Sequence, residues 1–298
     1  MHGKSWLKIG LQICISSLLL LWLSQQIQWI KLWHYAQGLS WWTLPLCVCL
    51  YFLAQWISAW RWHAFLNQLG MPVKQSQLFK WTMAGMVYNQ FLPGTIGGDG
   101  YRVWQLANTK PHTKTNALLS VLAERGSGLA VIIWLTLLLG LFSPLTFYHF
   151  IIQMLAGFAL VAYAAIRFCP VRLLPVRIAS IISPIRQLIY PPKALVISLF
   201  LSILVQALMV TIHSLIAPQI PWTILGWTYG CVTLLTMIPI SFNGIGLREV
   251  GYTSLLTHYC PPETALSLSF MWFVTGLLTS ILGLPAIWAN TARKTTPL

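Results

Sequence analysis

Long apolar runs alternate along the chain with short connections that carry most of its lysines and arginines. Six runs are long enough to cross hydrocarbon as helices, at roughly 6–24, 43–66, 115–141, 148–168, 194–217 and 265–288. Two others behave differently. The run at about 77–92 ends in Pro93-Gly94-Thr95-Ile96-Gly97-Gly98-Asp99-Gly100, and the run at about 222–238 ends in Pro239-Ile240-Ser241-Phe242-Asn243-Gly244-Ile245-Gly246. Proline removes a helix hydrogen bond and glycine permits backbone shapes closed to other residues, so both helices are predicted to break there. The expected fold is all-α and polytopic: six full transmembrane helices plus two re-entrant helical hairpins.

Charge placement supports that topology. Basic residues cluster at the N-terminus (Lys4, Lys8), in the 67–80 loop (Lys74, Lys80) and near 110–114 (Lys110, Lys114). They recur in the 167–193 loop (Arg167, Arg172, Arg177, Arg186, Lys193) and at the C-terminus (Arg293, Lys294). These share one side of the membrane only if the two broken segments enter and leave by the same face. Lys31 then stands alone opposite, an asymmetry that places the basic face in the cytoplasm. Arg61, Arg102, Arg125 and Arg248 lie in or at the edge of apolar segments. The first apolar run, lacking a small-x-small cleavage site after it, reads as an uncleaved span.

The two broken segments also resemble each other. Residues 93–102 and 239–248 both read Pro-x-(Ser/Thr)-x-x-Gly-x-Gly-x-Arg, an offset of 146 from Pro93 to Pro239. A similar offset lays 6–24 on 148–168, 43–66 on 194–217 and 115–141 on 265–288. The connections at about 25–42 and 171–188 then correspond, and both suit helices lying in the interface. With three crossings per half, the second half is inverted, the plan of transporters whose sites lie between repeats. The chain thus reads as a single transmembrane domain, 1–298, made of inverted repeats at roughly 1–146 and 147–298.

Composition narrows the function classes. Of 298 residues, 57% are hydrophobic and 7% charged, against about a quarter charged in soluble domains. The net charge of +14 falls in short connections rather than on a folded basic face, which points to anionic lipid and away from nucleic acid. The six cysteines show no metal-type spacing and read as small buried hydrophobes. No zinc pattern, nucleophile elbow, dinucleotide fingerprint or phosphate loop of the nucleotide-binding kind is present, so no catalytic residue, metal or cofactor is expected.

The candidate chemistry lies in the few charges. The acids are Asp99, Glu124, Glu249 and Glu263. A charge at the centre of a spanning helix costs about 2.5–3.5 kcal/mol on insertion scales, so such groups face the interior and pair. Asp99, Arg102, Glu124, Arg125, Arg248 and Glu249 are expected around one polar cavity, or as salt bridges that pin the broken helices. Glycine-turn N–H groups and guanidinium forks both suit phosphate, which nominates Gly97, Gly98, Gly100 and Arg102 with Gly244, Gly246 and Arg248. Asn116, Ser120, Glu124 and Ser127 form a stripe expected to face protein. Thr275, Thr279 and Gly283 form a packing stripe. Gln206 and His213 share a face, with His213 expected in an interhelical hydrogen bond. Trp60-Arg61-Trp62 reads as an aromatic belt with a snorkelling arginine, placed to meet a lipid phosphate at the interface.

The run Asn89 to Arg102, the triplet Ala123-Glu124-Arg125 and the run Pro239 to Glu249 together resemble the transmembrane region of lysylphosphatidylglycerol synthases, also called multiple peptide resistance factors. Stand-alone relatives are described as flippase-like membrane proteins. The resemblance covers nearly the whole chain and adds Asn89 and Asn243 to the substrate-binding candidates. In two-part members the membrane region moves an aminoacylated lipid between leaflets, and a separate soluble domain makes that lipid. With Leu298 soon after the last span, no synthase domain is expected here.

The resemblance and the residues together imply a lipid flippase-like transporter of the bacterial cytoplasmic membrane, with both termini cytoplasmic and a phosphate-bearing head group as cargo. Its partners would be anionic phospholipids or lipid-linked head groups. Two rival readings are an integral-membrane transferase using the cavity carboxylates as acid and base, and a non-catalytic partner that recruits a lipid-modifying enzyme through the 167–193 loop.

Overall fold

A computed structural model of the chain describes residues 38, 40–91, 96–109, 114–142, 157, 185–188, 190, 192–238, 241 and 244–285. Among these residues there is no strand. Eight α-helices follow in order: α1 Thr43–Gln68, α2 Gln75–Phe91, α3 Ile96–Thr109, α4 Lys114–Gly140, α5 Lys193–Ile216, α6 Trp222–Thr236, α7 Leu247–Leu255 and α8 Pro262–Ile281.

Four of them, α1, α4, α5 and α8, are long and apolar enough to cross a membrane, at 26, 27, 24 and 20 residues. Their outward faces carry exposed large apolar side chains such as Leu53, Leu122, Trp134, Phe200, Ile203 and Phe270, which suits hydrocarbon rather than water. They match four of the six expected spans, three of them to within two residues at each end, while the last begins three residues earlier and ends seven residues sooner than the expected 265–288. The expected span at 6–24, that at 148–168 except residue 157, and most of the interfacial segments at 25–42 and 171–188 lie outside the described residues.

Helix ends follow local chemistry. At the end of α1, Gly70 takes φ +68°, a conformation that favours glycine. Its N–H bonds to the Asn67 carbonyl at 3.1 Å, and the Met71 N–H reaches back to the Leu66 carbonyl at 2.9 Å. This paired pattern closes a helix C-terminus, and buried Met71 and Leu66 supply the apolar contact that accompanies it. Helix α8 starts at Pro262 because proline suits the first turn, where its missing N–H would have had no helical partner.

The broken segments are each two packed helices. Helix α2 runs into α3, and α6 into α7, with α2 packed on α3 and α6 on α7. None of the four reaches the roughly 20 residues a simple crossing needs. Gly98 makes the first pairing close, since a Cβ there would strike the Gly85 carbonyl oxygen. In the second, Gly244 and Gly246 adopt φ of +72° and +86°.

The packing partners pair off between the first four helices and the last four. Exchange α1 with α5, α2 with α6, α3 with α7 and α4 with α8, and each principal contact maps onto another. The α1–α2 contact maps onto α5–α6, α3–α4 onto α7–α8, α4–α5 onto α8–α1, α4–α6 onto α8–α2, and α1–α4 onto α5–α8. The central α1–α5 contact, the most extensive, maps onto itself. Small residues allow this closeness. A Cβ on Gly230 of α6 would fall on the Thr136 hydroxyl of α4, and one on Gly283, just past α8, would come within 2.6 Å of the Met83 carbonyl oxygen of α2. Thr275 and Thr279 are fully buried beside it, as the small-residue stripe of the sequence implies.

Candidate functional site

Three helices bring five charged side chains together. Glu124, on the buried face of α4, is completely enclosed. Its Oε1 accepts hydrogen bonds from Arg61 of α1, through Nε at 2.9 Å and through Nη2, and from the Ser58 hydroxyl at 3.0 Å. Its Oε2 accepts from Arg102 Nη1 of α3 at 3.0 Å. Arg61 Nη1 reaches on to the Ser202 hydroxyl of α5 at 2.9 Å. Its guanidinium lies against Gly128, where a Cβ would come within 2.8 Å of Nη1. One carboxylate thus ties four helices at a buried point, where the pair is strong only because each oxygen is bonded.

The network continues outward through Asp99, near the start of α3. Its Oδ1 accepts from Arg102 Nη1 at 3.3 Å and from Arg125 Nη2 at 2.7 Å, and Arg125 Nε donates to Oδ2 at 2.9 Å. The Arg125 side chain is 46% exposed and that of Asp99 is 21% exposed, so this end of the chain of charges meets the outside. The Arg102 guanidinium carbon sits 4.2 Å from the centre of the Trp62 ring, a cation–π contact. Trp62 is fixed in turn by donating its indole N–H to the Ser120 hydroxyl at 3.0 Å.

The backbone here is held by a neighbouring side chain. The Gly98 N–H, in the first turn of α3, donates to Asn89 Oδ1 of α2 at 2.7 Å, so α2 caps α3. The second hairpin caps itself: the Gly246 N–H donates to Glu249 Oε2 at 2.6 Å. Both of these glycine N–H groups, expected to face a phosphate, are therefore already bonded within the fold. Glu249 Oε1 accepts from Arg248 at 2.9 and 3.0 Å and from the Ser269 hydroxyl of α8 at 2.9 Å.

The six charges expected around one cavity therefore fall into two networks. Asp99, Arg102, Glu124 and Arg125 join Arg61, while Arg248 and Glu249 join Ser269. No hydrogen bond or ion pair links the two among the described residues. Tyr51 of α1 packs with its ring centre 5.2 Å from that of Trp272 of α8. Gly97 lies in the first turn of α3, a Cβ on Gly244 would meet Thr236 of α6, and Asn243 lies outside the described residues. The expectation of a snorkelling Arg61 is corrected: it is 5% exposed and faces the protein interior, where the Glu124 carboxylate is its counter-charge.

Sequence reasoning missed Ser58 and Ser202 as parts of the site and read Trp62 as part of an aromatic belt at the interface. Ser58 stands three residues before Arg61, a spacing that puts both on one helix face, and this was the one available signal. On the second half, His213 Nε2 pairs with the Tyr252 hydroxyl at 2.5 Å and Nδ1 with the Met209 carbonyl at 2.7 Å, the interhelical bond expected of it. Gln206 accepts from the Tyr229 hydroxyl at 3.0 Å.

An apolar groove of about 1340 Å³ runs between α4 and α5, walled by residues such as Leu122, Trp134, Leu138, Leu199 and Ile203. Gly126 and Ser127 line it, so it lies beside the helical turn that bears Glu124 and Arg125. Among the described residues no cluster of His, Cys, Asp or Glu has the makings of a metal site.

A search of curated proteins finds no match to the chain. The family described as Lysylphosphatidylglycerol synthase TM region matches residues 9–283. That match spans both networks and every described helix, so the chain is a member of this family of membrane proteins, whose name ties it to lipid.

Proposed function

We propose that the chain is a flippase-like transporter that carries a phosphate-bearing lipid head group across a bacterial cytoplasmic membrane. Its two halves act as inverted repeats, with α2–α3 and α6–α7 as re-entrant hairpins and both termini on the cytoplasmic side. The pairwise matching of helix contacts between the halves supports the repeat, and the one-sided basic connections support the orientation.

One observation carries the functional reading. A guanidinium–carboxylate network runs from the buried core at Glu124 to the half-exposed Arg125, beside an apolar groove, in a chain whose surface suits hydrocarbon. Ionised groups inside a membrane protein are costly to keep and mark pathways for polar cargo. The head group enters at Arg125 and the tails stay in or beside the groove, so neither part crosses the wrong solvent. Rocking of one half against the other then exposes the site to the opposite leaflet.

The test is leaflet exchange in proteoliposomes with a panel of short-chain fluorescent lipids, anionic, zwitterionic and polyprenyl-linked. At least one phosphate-bearing lipid is expected to exchange faster with protein than in empty vesicles. Equal exchange for the entire panel would refute the transport reading.

A further inference from the structure

We propose that Asp99 is a displaceable stand-in for the phosphodiester of a lipid head group. When the head group arrives, the Asp99 carboxylate swings out and two non-bridging phosphate oxygens take its place between Arg125 and Arg102. This rests on the reading of the protein as a lipid head-group transporter and names the ligand chemistry and the event at its entrance.

The geometry of the present occupant is the first argument. Arg125 grips the Asp99 carboxylate with two N–H groups, at 2.7 Å to Oδ1 and 2.9 Å to Oδ2, and Arg102 adds a longer bond at 3.3 Å. A guanidinium fork binds the paired oxygens of a carboxylate and of a phosphate in the same way. A phosphodiester also carries the same single negative charge, so the exchange leaves the balance of the cluster unchanged.

The second argument is unused bonding capacity. Arg102 is 2% exposed, yet its Nε and Nη2 make no hydrogen bond to the protein, and neither does the Thr82 hydroxyl, 4% exposed. Both residues border a small polar cavity with Gln55, Ser58, Asn89 and Arg125. A buried donor without an acceptor is costly, so a fold that keeps these three groups gains an acceptor for them at some stage of its cycle.

Size decides how that acceptor enters. The cavity measures about 20 Å³. One water-sized occupant needs roughly 10–15 Å³, so a tetrahedral phosphate does not fit beside Asp99 and has to replace it. Of the two carboxylates only Asp99 is free to leave. It is 21% exposed in its side chain, whereas Glu124 is fully enclosed and bonded to Arg61, Ser58 and Arg102. In the second hairpin Glu249 is fixed by its own backbone cap and by Ser269, so the exchange belongs to the first hairpin.

The experiment measures binding of dihexanoyl phosphatidylglycerol and, separately, inorganic phosphate to the detergent-solubilised full chain by calorimetry. It compares wild type with Asp99→Asn and Asp99→Ala, each first shown to keep wild-type thermal unfolding within a few degrees. Two variants are used so that a folding defect in one leaves the other informative. Removal of the internal competitor is expected to tighten phosphodiester binding about tenfold, as expected when a closed state no longer taxes affinity. Unchanged or weaker binding in both variants, with wild type binding, would overturn the stand-in role and leave the transport reading intact. Binding by none of the proteins would overturn the stand-in role, and background exchange of every lipid in the panel is what would overturn the transport reading. Inorganic phosphate binding as tightly as the diester would reassign the site to free phosphate and overturn the lipid assignment.

Discussion

Arg61 on α1 and Glu124 on α4 form an ion pair whose side chains are 6% and 0% exposed, sixty-three positions apart in sequence. Everything around the pair is arranged to satisfy it. Ser58 and Arg102 bond the same carboxylate, Ser202 takes another donor of the arginine, and Gly128 leaves room for the guanidinium.

Removing one member leaves the others charged and unpaired in the interior. Glu124→Ala is therefore expected to lower stability by about 3–5 kcal/mol, the range for breaking a buried pair. Thermal unfolding in detergent checks this, and a melting temperature equal to wild type would show that the network is not closed to water. Arg61→Lys keeps the charge but loses the fork to Glu124 and Ser202, and an intermediate loss is expected.

The close approach of α2 and α3 predicts a contrast between neighbouring glycines. A Cβ at Gly98 collides with the Gly85 backbone, whereas one at Gly100 meets nothing within 4 Å. Gly98→Ala is expected to destabilise by at least about 1–3 kcal/mol. Gly100→Ala, on an exposed helix position, is expected to be neutral or to stabilise by about 0.5–1 kcal/mol. Melting temperatures of the two variants side by side decide the matter, and similar losses in both would contradict the helix pairing described.

The His213–Tyr252 bond joins α5 to α7. A double-mutant cycle with Tyr252→Phe and His213→Ala is expected to give a coupling energy of about 0.6–1.7 kcal/mol, the range for hydrogen bonds between membrane helices. Strict additivity of the two changes would mean that the bond contributes nothing.

Arg125 separates stability from function. Its side chain is nearly half exposed, and exposed pairs contribute about 0–1 kcal/mol. Arg125→Ala should thus melt close to wild type while losing most lipid exchange in proteoliposomes. Retained exchange would remove Arg125 from the path of the head group.

Much of this architecture was legible in the chain. Pro93 and Pro239, with the glycines after them, announced two broken helices, and the hydrophobic runs marked α1, α4 and α5 nearly to their ends and located α8, which stops at Ile281, short of the expected 288. The Asn116–Ser120–Glu124–Ser127 stripe announced a protein-facing side of α4; Ser120, Glu124 and Ser127 are buried, and Asn116, near the start of the helix, is half-buried. Arg61 was misread because its neighbours Trp60 and Trp62 are amphipathic residues typical of the membrane interface. Only the partner Glu124, far along the chain, shows that Arg61 turns inward while Trp60 faces out. The division of Arg102 and Arg248 into separate networks was likewise hidden. Their matching motifs say that the hairpins are alike, but the distance between two such hairpins depends on how α1 crosses α5, which no local pattern encodes.

The central claim is that a phosphate on the head group is what the protein recognises and moves. The most direct measurement compares leaflet exchange in proteoliposomes for two fluorescent lipids with identical tails, one with a phosphodiester head group and one a neutral diacylglycerol glycolipid. The account predicts acceleration of the phosphodiester lipid and background exchange of the glycolipid. Equal acceleration of both, or of neither, would contradict it.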